Sequence, residues 1–237
     1  MTNPISDVAA TWKEEWLASP DATINEKDHL NRYKLSVLNH LLEQLPSDAS
    51  VLEVGCGNSS WLRALGKYHP KLKLFGLDIS TDAVAISLRH NISATLGDAR
   101  SMPYPDNTFD LVFSFGTVEH LPETEKEIWE HLRVLNPKGF AWIETPNRWS
   151  LQGLQALFSN FRHHRDPYRL MINQGKWYTH WDLKRMALYA PEGKQFYIQG
   201  SGPVLPFSDR LPSWTDSIFD FARRYLGGNA GVVVRKL

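Results

Sequence analysis

The chain predicts an α/β fold, a doubly wound and mostly parallel sheet with helices on both faces, and three observations carry that expectation. Val51-Leu52-Glu53-Val54 is an apolar run that ends in the closely spaced Gly55 and Gly57, which reads as strand, tight loop and helix start. Short apolar runs then alternate with stretches of helical period as far as Glu144, the pattern of β-α-β units. Phe109-Asp110-Leu111-Val112-Phe113-Ser114-Phe115-Gly116 is nearly continuous in apolar character, which suits a strand buried on both faces and so a central one.

A chain of 237 residues fits one such domain with a modest insert. Lys plus Arg and Asp plus Glu both number 26, so the balance predicts no general attraction to nucleic acid or to an acidic membrane surface. Cys56 is the single cysteine, so no disulfide forms within the chain and an oxidising compartment is not required; a cytoplasmic location is expected. No run approaches the ~20 apolar residues of a membrane span. No internal repeat or low-complexity segment is present.

Taken in order, Trp12 and Trp16 stand four apart on a short amphipathic segment followed by Pro20. Asn25, with Asp28 three residues on, is the expected cap of a longer helix in which Leu30, Tyr33, Val37, Leu38, Leu41, Leu42 and Leu45 keep the period until Pro46. Residues 1–46 thus form an N-terminal helical arm, or lid, ahead of a main domain over 47–237. In the glycine loop the backbone can turn sharply and admit a bulky ligand, and N–H groups at the following helix terminus favour electron-rich ligand atoms. Ser60 stands where a dinucleotide fingerprint would place its third glycine.

Trp61, Leu62, Ala64 and Leu65 mark the next helix, and Lys71 to Leu77 a second strand ending at Asp78. Asp78 follows Gly57 by 21 positions, which in a right-handed β-α-β unit puts its carboxylate at the strand tip beside the loop, placed to accept two ribose hydroxyls. The alternative for Asp78 is a cap on the helix begun by Ser80-Thr81-Asp82. Ala94 to Leu96 make a short third strand ending in Gly97-Asp98-Ala99, and Ser114 to Thr117, at the end of the central strand, face the glycine loop at the switch point. Thr124 and Glu127 read as a capping box opening a helix that carries Ile128, Trp129, Leu132 and Leu135, and Asn136-Pro137-Lys138-Gly139 as the turn into a fifth strand, Phe140 to Glu144. Residues 146–194 are an insert and the candidate substrate region, with a helix-like piece (Leu151, Leu154, Leu157, Phe158), Phe161-Arg162-His163-His164-Arg165 and Trp177-Tyr178-Thr179-His180-Trp181. Thr179 caps a helix through Asp182, and Gln195 to Ile198 and Gly231 to Val234 are the last two strands, flanking a helix that carries Ile218, Phe219, Ala222 and Tyr225.

The run V-L-E-V-G-C-G resembles the first motif of class I S-adenosylmethionine-dependent methyltransferases. The likeness continues through Leu74-Phe75-Gly76-Leu77-Asp78, Gly97-Asp98-Ala99, Pro103 to Asp110, Glu119-His120-Leu121 and Leu135 to Phe140, and covers roughly residues 48 to 146. It is nearest the small-molecule branch that includes the ubiquinone and menaquinone biosynthesis enzymes. The resemblance implies a Rossmann-like seven-stranded sheet whose last strand runs antiparallel, S-adenosyl-L-methionine as cofactor with S-adenosyl-L-homocysteine as product, and leading helices over the cofactor's mouth. It implies that Glu53 orients the cofactor's amino group, that Gly55, Cys56 and Gly57 lie around its tail, that Phe115 is also cofactor-binding, that Asp98 holds the adenine amino group and that the Ala99 N–H faces a ring nitrogen. Ile79 offers an apolar surface for adenine, or equally a core contact.

The implied reaction is an in-line displacement on an already activated methyl group, so the protein contributes chiefly position and exclusion of water, with a base only for a protonated nucleophile. No metal is demanded, and His163 and His164 are adjacent and point apart on a helix or strand. Cys56 reads as a small packing residue. Candidates for a base are His120, His180, Tyr178 and Glu119; His120, just after the fourth strand and with an ordinary pKa near neutrality, is the catalytic candidate, against a structural role in the loop. Trp177, Tyr178 and Trp181 would wall an aromatic or apolar acceptor, and core packing explains Trp181 equally well. The rivals are a dinucleotide-dependent oxidoreductase and a non-catalytic S-adenosylmethionine-binding protein of the same fold. Nucleic-acid methylation is disfavoured by the neutral charge and the lack of an Asn/Asp-Pro-Pro-Tyr segment.

Overall fold

The computed structural model describes residues 12–13, 16–150, 153–154, 176–191, 196–204 and 228–237. β1 (Ser50–Val54) pairs in parallel with β2 (Lys73–Asp78) on one side and with β4 (Phe109–Phe115) on the other. β3 (Ser93–Leu96) extends the sheet beyond β2, and β5 (Leu135–Pro146) beyond β4, both in parallel. β7 (Asn229–Lys236) lies antiparallel between β5 and β6 (Phe196–Val204), giving a seven-stranded sheet in the order β3-β2-β1-β4-β5-β7-β6. The chain winds outward from β1 to β3 and then returns to the far side of β1, so the crevice for a ligand opens between the ends of β1 and β4.

The period of two along each strand sends successive side chains to opposite faces, and both faces are dry. On one, Val51, Leu111, Phe113 and Phe140 pack with Leu38, Leu41 and Leu42 of α1 (His29–Leu42) and with Leu62 and Leu65 of α2 (Ser60–Tyr68). On the other, Leu52, Val54, Val112, Ala141 and Val232 pack with Ile128 and Leu132 of α4 (Thr124–Arg133) and with Leu183 and Ala187 of α5 (His180–Leu188). α3 (Thr81–Arg89) buries Ala83 and Ile86 beside β2 and β3. Among the described residues no helix is long and apolar enough to cross a membrane.

Three local expectations are corrected. Asp28, not Asn25, caps α1, accepting from the Leu30 and Asn31 N–H groups, while Asn25 Oδ1 accepts from Lys27 N–H in a turn of its own. The box proposed for α4 does not form: Thr124 is already helical and donates to Val118 O at 3.0 Å, Tyr178 Oη lies 2.8 Å from the same hydroxyl, and Glu123 takes the cap position at φ 64°. The Asn136–Gly139 turn is absorbed into β5, with Lys138 at φ 68° and a register shift opposite Phe109 and Leu111, because the flanking Leu135 and Phe140 both pair with β4. The box at Thr179 and Asp182 is present in both directions. The expected helix through Ile218 to Tyr225, Phe161 to Arg165, and Leu151, Leu157 and Phe158 of the expected helix-like piece lie outside the described residues.

Two features of this framework are open to test. Glu127, on the buried face of α4, has no hydrogen-bond partner on either carboxylate oxygen, and burial, helped by the charges of Glu119 and Asp98, pushes its pKa up to about 8. Its neighbour His131 is held neutral, its pKa lowered to about 4 by burial. Since the folded protein holds the Glu127 proton that the unfolded chain has released, stability falls as pH rises from the ordinary glutamate range to about 8. Glu127→Gln is expected to stabilise the fold at pH above about 8 by on the order of a few kcal/mol, with the gain vanishing in acid; denaturant melts across pH check it. Gly55 sits at φ +70°, and a Cβ there would stand 2.3 Å from Thr117 Oγ1, which donates to Val54 O at 3.1 Å. Gly55→Ala should therefore cost about 2–4 kcal/mol in a denaturant melt, and Thr117→Ala in the same chain should return part of it in a double-mutant cycle.

Candidate active site

The glycine loop is folded back on the end of β2. Leu77 O accepts the Gly55 N–H at 2.8 Å and the Cys56 N–H at 3.1 Å, and Asp78 Oδ2 accepts the Gly57 N–H at 2.9 Å. Ser59 N–H goes to Cys56 O and Ser60 N–H to Asn58 Oδ1. The expectation that these N–H groups face a ligand is thus corrected: their hydrogen-bonding capacity is spent inside the protein. A pyrophosphate would find little here to hold it, since its binding at such loops depends on free N–H donors. What the loop offers instead is close approach, because Gly55 and Gly57 both have positive φ and carry no side chain.

One cavity of about 430 Å³ opens over this loop, within the range of small-molecule sites. The ends of β1, β2 and β3 supply Gly55, Asp78, Ile79, Ser80, Gly97 and Ala99. The ends of β4 and β5 supply Phe115, Thr117, Glu119, His120 and Pro146. Asp78 is 8% exposed; its Oδ1 accepts the Ser80 N–H at 2.9 Å, and Ser80, not Asp78, caps α3. Burial raises the Asp78 pKa, against the pull of the Ser80, Gly57 and Ile79 N–H groups.

The N-terminal arm closes the cavity from above. Trp12 and Trp16 stack with ring centroids 5.7 Å apart, and Trp12 meets the His120 ring edge-on at 5.1 Å. A Cβ on Gly57 would stand 2.7 Å from Trp16 Cη2, so that indole lies directly on the glycine. Asn58 Nδ2 donates to Ser19 O at 3.1 Å and ties the arm to the loop. The four-residue spacing was the signal for these two tryptophans, but it showed only an amphipathic turn.

Of the residues singled out from the sequence, Gly55, Asp78, Ile79, Ala99, Phe115, Glu119 and His120 meet in this cavity, and Glu53, Cys56, Gly57 and Asp98 do not line it. Asp98 is turned to Arg100, Oδ2 lying 2.7 Å from Nη2; partial burial works to raise its pKa, but the Arg100 hydrogen bonds and charge outweigh this and lower it. Cys56 is buried, with Sγ against Gly76 and 3.7 Å from Ser87 Oγ, and burial pushes its thiol pKa up, as suits a packing residue. Glu53 is 4% exposed with Oε2 unpartnered; burial and the Asp78 charge hold its pKa well above the ordinary value, against the Leu62 N–H and Lys34. Tyr178 and Trp177 are buried away from the cavity, Tyr178 in the core against Thr124, and Trp181 is 47% exposed beside His180, neither wall nor core. His180 likewise does not reach the cavity, so of the four base candidates only Glu119 and His120 remain there.

Beneath the floor lies a charged group that periodicity could not reveal. Lys34, on α1 and only 7% exposed, reaches Glu144 Oε1 at 2.8 Å, where Asn229 Nδ2 also donates at 2.6 Å. Its ammonium stands 4.3 Å from the Phe115 ring centroid and 5.6 Å from that of Trp61.

A family model described as a methyltransferase domain matches residues 52–143. The fatty-acid O-methyltransferase of Mycolicibacterium smegmatis is 32% identical over 122 residues, 49% of this chain and 44% of that protein. The demethylmenaquinone methyltransferase of Geobacillus stearothermophilus is 28% identical over 147 residues, 58% of this chain and 61% of that protein. The chain thus spans about half the length of these curated relatives. In fold, the Haemonchus contortus phospholethanolamine N-methyltransferase 2, solved with phosphomonomethylethanolamine and S-adenosylhomocysteine, superposes with a TM-score of 0.68 at 16% identity, over 100% of this chain and 60% of that one. The glycine loop and the acid at the tip of β2 lie within the matched segment, and the cavity between the ends of β1 and β4 opens over it: residues 52–143 match a methyltransferase domain.

Proposed function

We propose that this protein transfers the methyl group of S-adenosylmethionine to a small, apolar acceptor held between the ends of β4 and β5. The observation that carries this is the division of one cavity into two chemically different halves. On the β1–β3 side a carboxylate, two glycines and the apolar Ile79 and Ala99 converge, which suits the sugar, tail and base of an adenosyl group. On the β4–β5 side the walls are largely apolar, from Pro146, Leu121 and the Trp12 ring, with Glu119 and His120 as the titratable groups.

The donor, once bound, supplies an activated methyl group. Asp78 would accept the ribose hydroxyls with the lone pairs left over from Gly57 and Ser80, and Ile79 and Ala99 would face the adenine. Gly55, which has no side chain, would let the tail come close to the loop, with Glu53 acting on the amino group from behind it. Asp98 serves the adenine edge only through the turn it shares with Arg100. Trp12 and Trp16, as a lid carried by residues 1–46, would exclude water from the transfer point, and His120 is the side chain that would touch the acceptor's nucleophile. Residues 146–194 would shape the acceptor side. A cytoplasmic setting fits the buried, unpaired Cys56.

Asp78→Ala is expected to weaken S-adenosylhomocysteine binding by on the order of a hundredfold, from the loss of two charge-assisted hydrogen bonds. Asp78→Asn, which keeps an acceptor for the Gly57 N–H, separates loop support from sugar binding. Isothermal calorimetry reads both, and wild-type affinity in Asp78→Ala would remove this residue from the donor site.

A further inference from the structure

Methyl transfer as described leaves one cavity-lining group without a task. Glu119 is 2% exposed, and its Oε2 is buried without a hydrogen-bond partner. Leaving a polar group in that state is unfavourable, and more so if it is charged, so the fold carries a penalty at this position. The residue is fixed in place: its carbonyl accepts the Lys176 N–H at 2.8 Å, and its Oε1 lies 3.7 Å from His120 Nε2. A Cβ on Gly116 would stand 3.6 Å from that same Oε1, an ordinary contact, so the carboxyl group lies alongside the end of β4.

The groups facing Glu119 come from every side. They are Lys34 of α1, Glu144 and Thr145 of β5, Glu127 of α4 and the adjoining His120. Burial, with the Glu144 charge adding, raises the Glu119 pKa to about 7 against the pull of the Thr145 hydroxyl and the Lys34 ammonium. Lys34 is paired to Glu144, so much of the repulsion that would drive the value higher is cancelled at its source. A carboxyl poised near neutrality in a dry wall can both hold and release a proton at working pH.

Resting on the methyltransferase reading above, we infer that Glu119 is the proton acceptor for a protic nucleophile, an O–H or N–H borne by the apolar acceptor. As the nucleophile's electron pair forms the bond to the methyl carbon, the carbon–sulfur bond breaks with its electrons staying on sulfur. The O–H or N–H proton passes to the Glu119 carboxylate and later to water. His120 holds the nucleophile beside it.

The test has two arms. In protein carrying ¹³C-labelled glutamate and saturated with S-adenosylhomocysteine, an NMR titration should show one carboxyl changing near pH 7 that is absent from Glu119→Gln. Labelled donor is then offered with 1-decanol, 4-methylphenol and N-methylaniline, each neutral and protic near pH 7, and with thioanisole, whose methylation releases no proton. Wild type should methylate at least one protic probe at a rate rising through neutrality, and Glu119→Gln should lose on the order of a hundredfold on it while binding S-adenosylhomocysteine within about twofold of wild type. Wild-type rates in Glu119→Gln, or a Glu119 that titrates in the ordinary carboxylate range, would overturn the inference. A wild type that binds S-adenosylhomocysteine but methylates no probe counts against the small apolar acceptor instead, and the titration then decides Glu119 alone.

Discussion

The carbonyl oxygen of Leu77 holds the floor of the site. It accepts two successive N–H groups of the glycine loop, and Asp78, the next residue, accepts a third. To bring those donors round to the end of β2 the backbone must pass through positive φ at residues 55 and 57, which glycine adopts without steric cost. The loop is therefore shaped before any ligand arrives, and its polar groups are satisfied internally. This separates the site from a phosphate cradle with a similar glycine spacing, where unspent N–H groups do the binding. It also makes Asp78 serve two purposes, support of the loop and presentation of lone pairs to the cavity.

Behind the floor, the buried acids Glu53, Glu119 and Glu144 are served by one ammonium, that of Lys34. Buried ion pairs seldom add much net stability, because desolvation offsets the attraction, but removing one partner is costly. The arrangement fixes α1 to the sheet at a single angle, since the lysine must reach Glu144 past the rings of Phe115 and Trp61. The N-terminal arm and the strand ends are thereby held in one frame.

Most of the sheet was legible because its signal is local and periodic: the apolar run of β4, the glycines after β1 and the acid at the end of β2 each predict their own surroundings. The Thr179 box was legible for the same reason, a three-residue spacing with a short-range purpose. Where a polar residue was wanted by other partners, those contacts overrode the local signal. Thr124 was claimed by Val118 and Tyr178, and Asp98 by Arg100, partners that no spacing announces. The aromatic cluster at 177–181 looked like a substrate wall by composition, yet Tyr178 is core and Trp181 faces solvent. The cavity's actual aromatic cover comes from Trp12 and Trp16, which lie far from it in sequence.

The position of β7 bears on how the molecule is assembled. Although it follows both of its neighbours along the chain, it is threaded between β5 and β6. During synthesis the outer edge of β5 and the inner edge of β6 therefore have no mate until residues 229–236 emerge. An apolar, unpaired strand edge is a template for association with other chains. The charge-bearing Arg235 and Lys236 within the strand that finally fills the gap are thus of less protective value than the speed with which it arrives, and a nascent chain stalled before that point would be the species most in need of a chaperone.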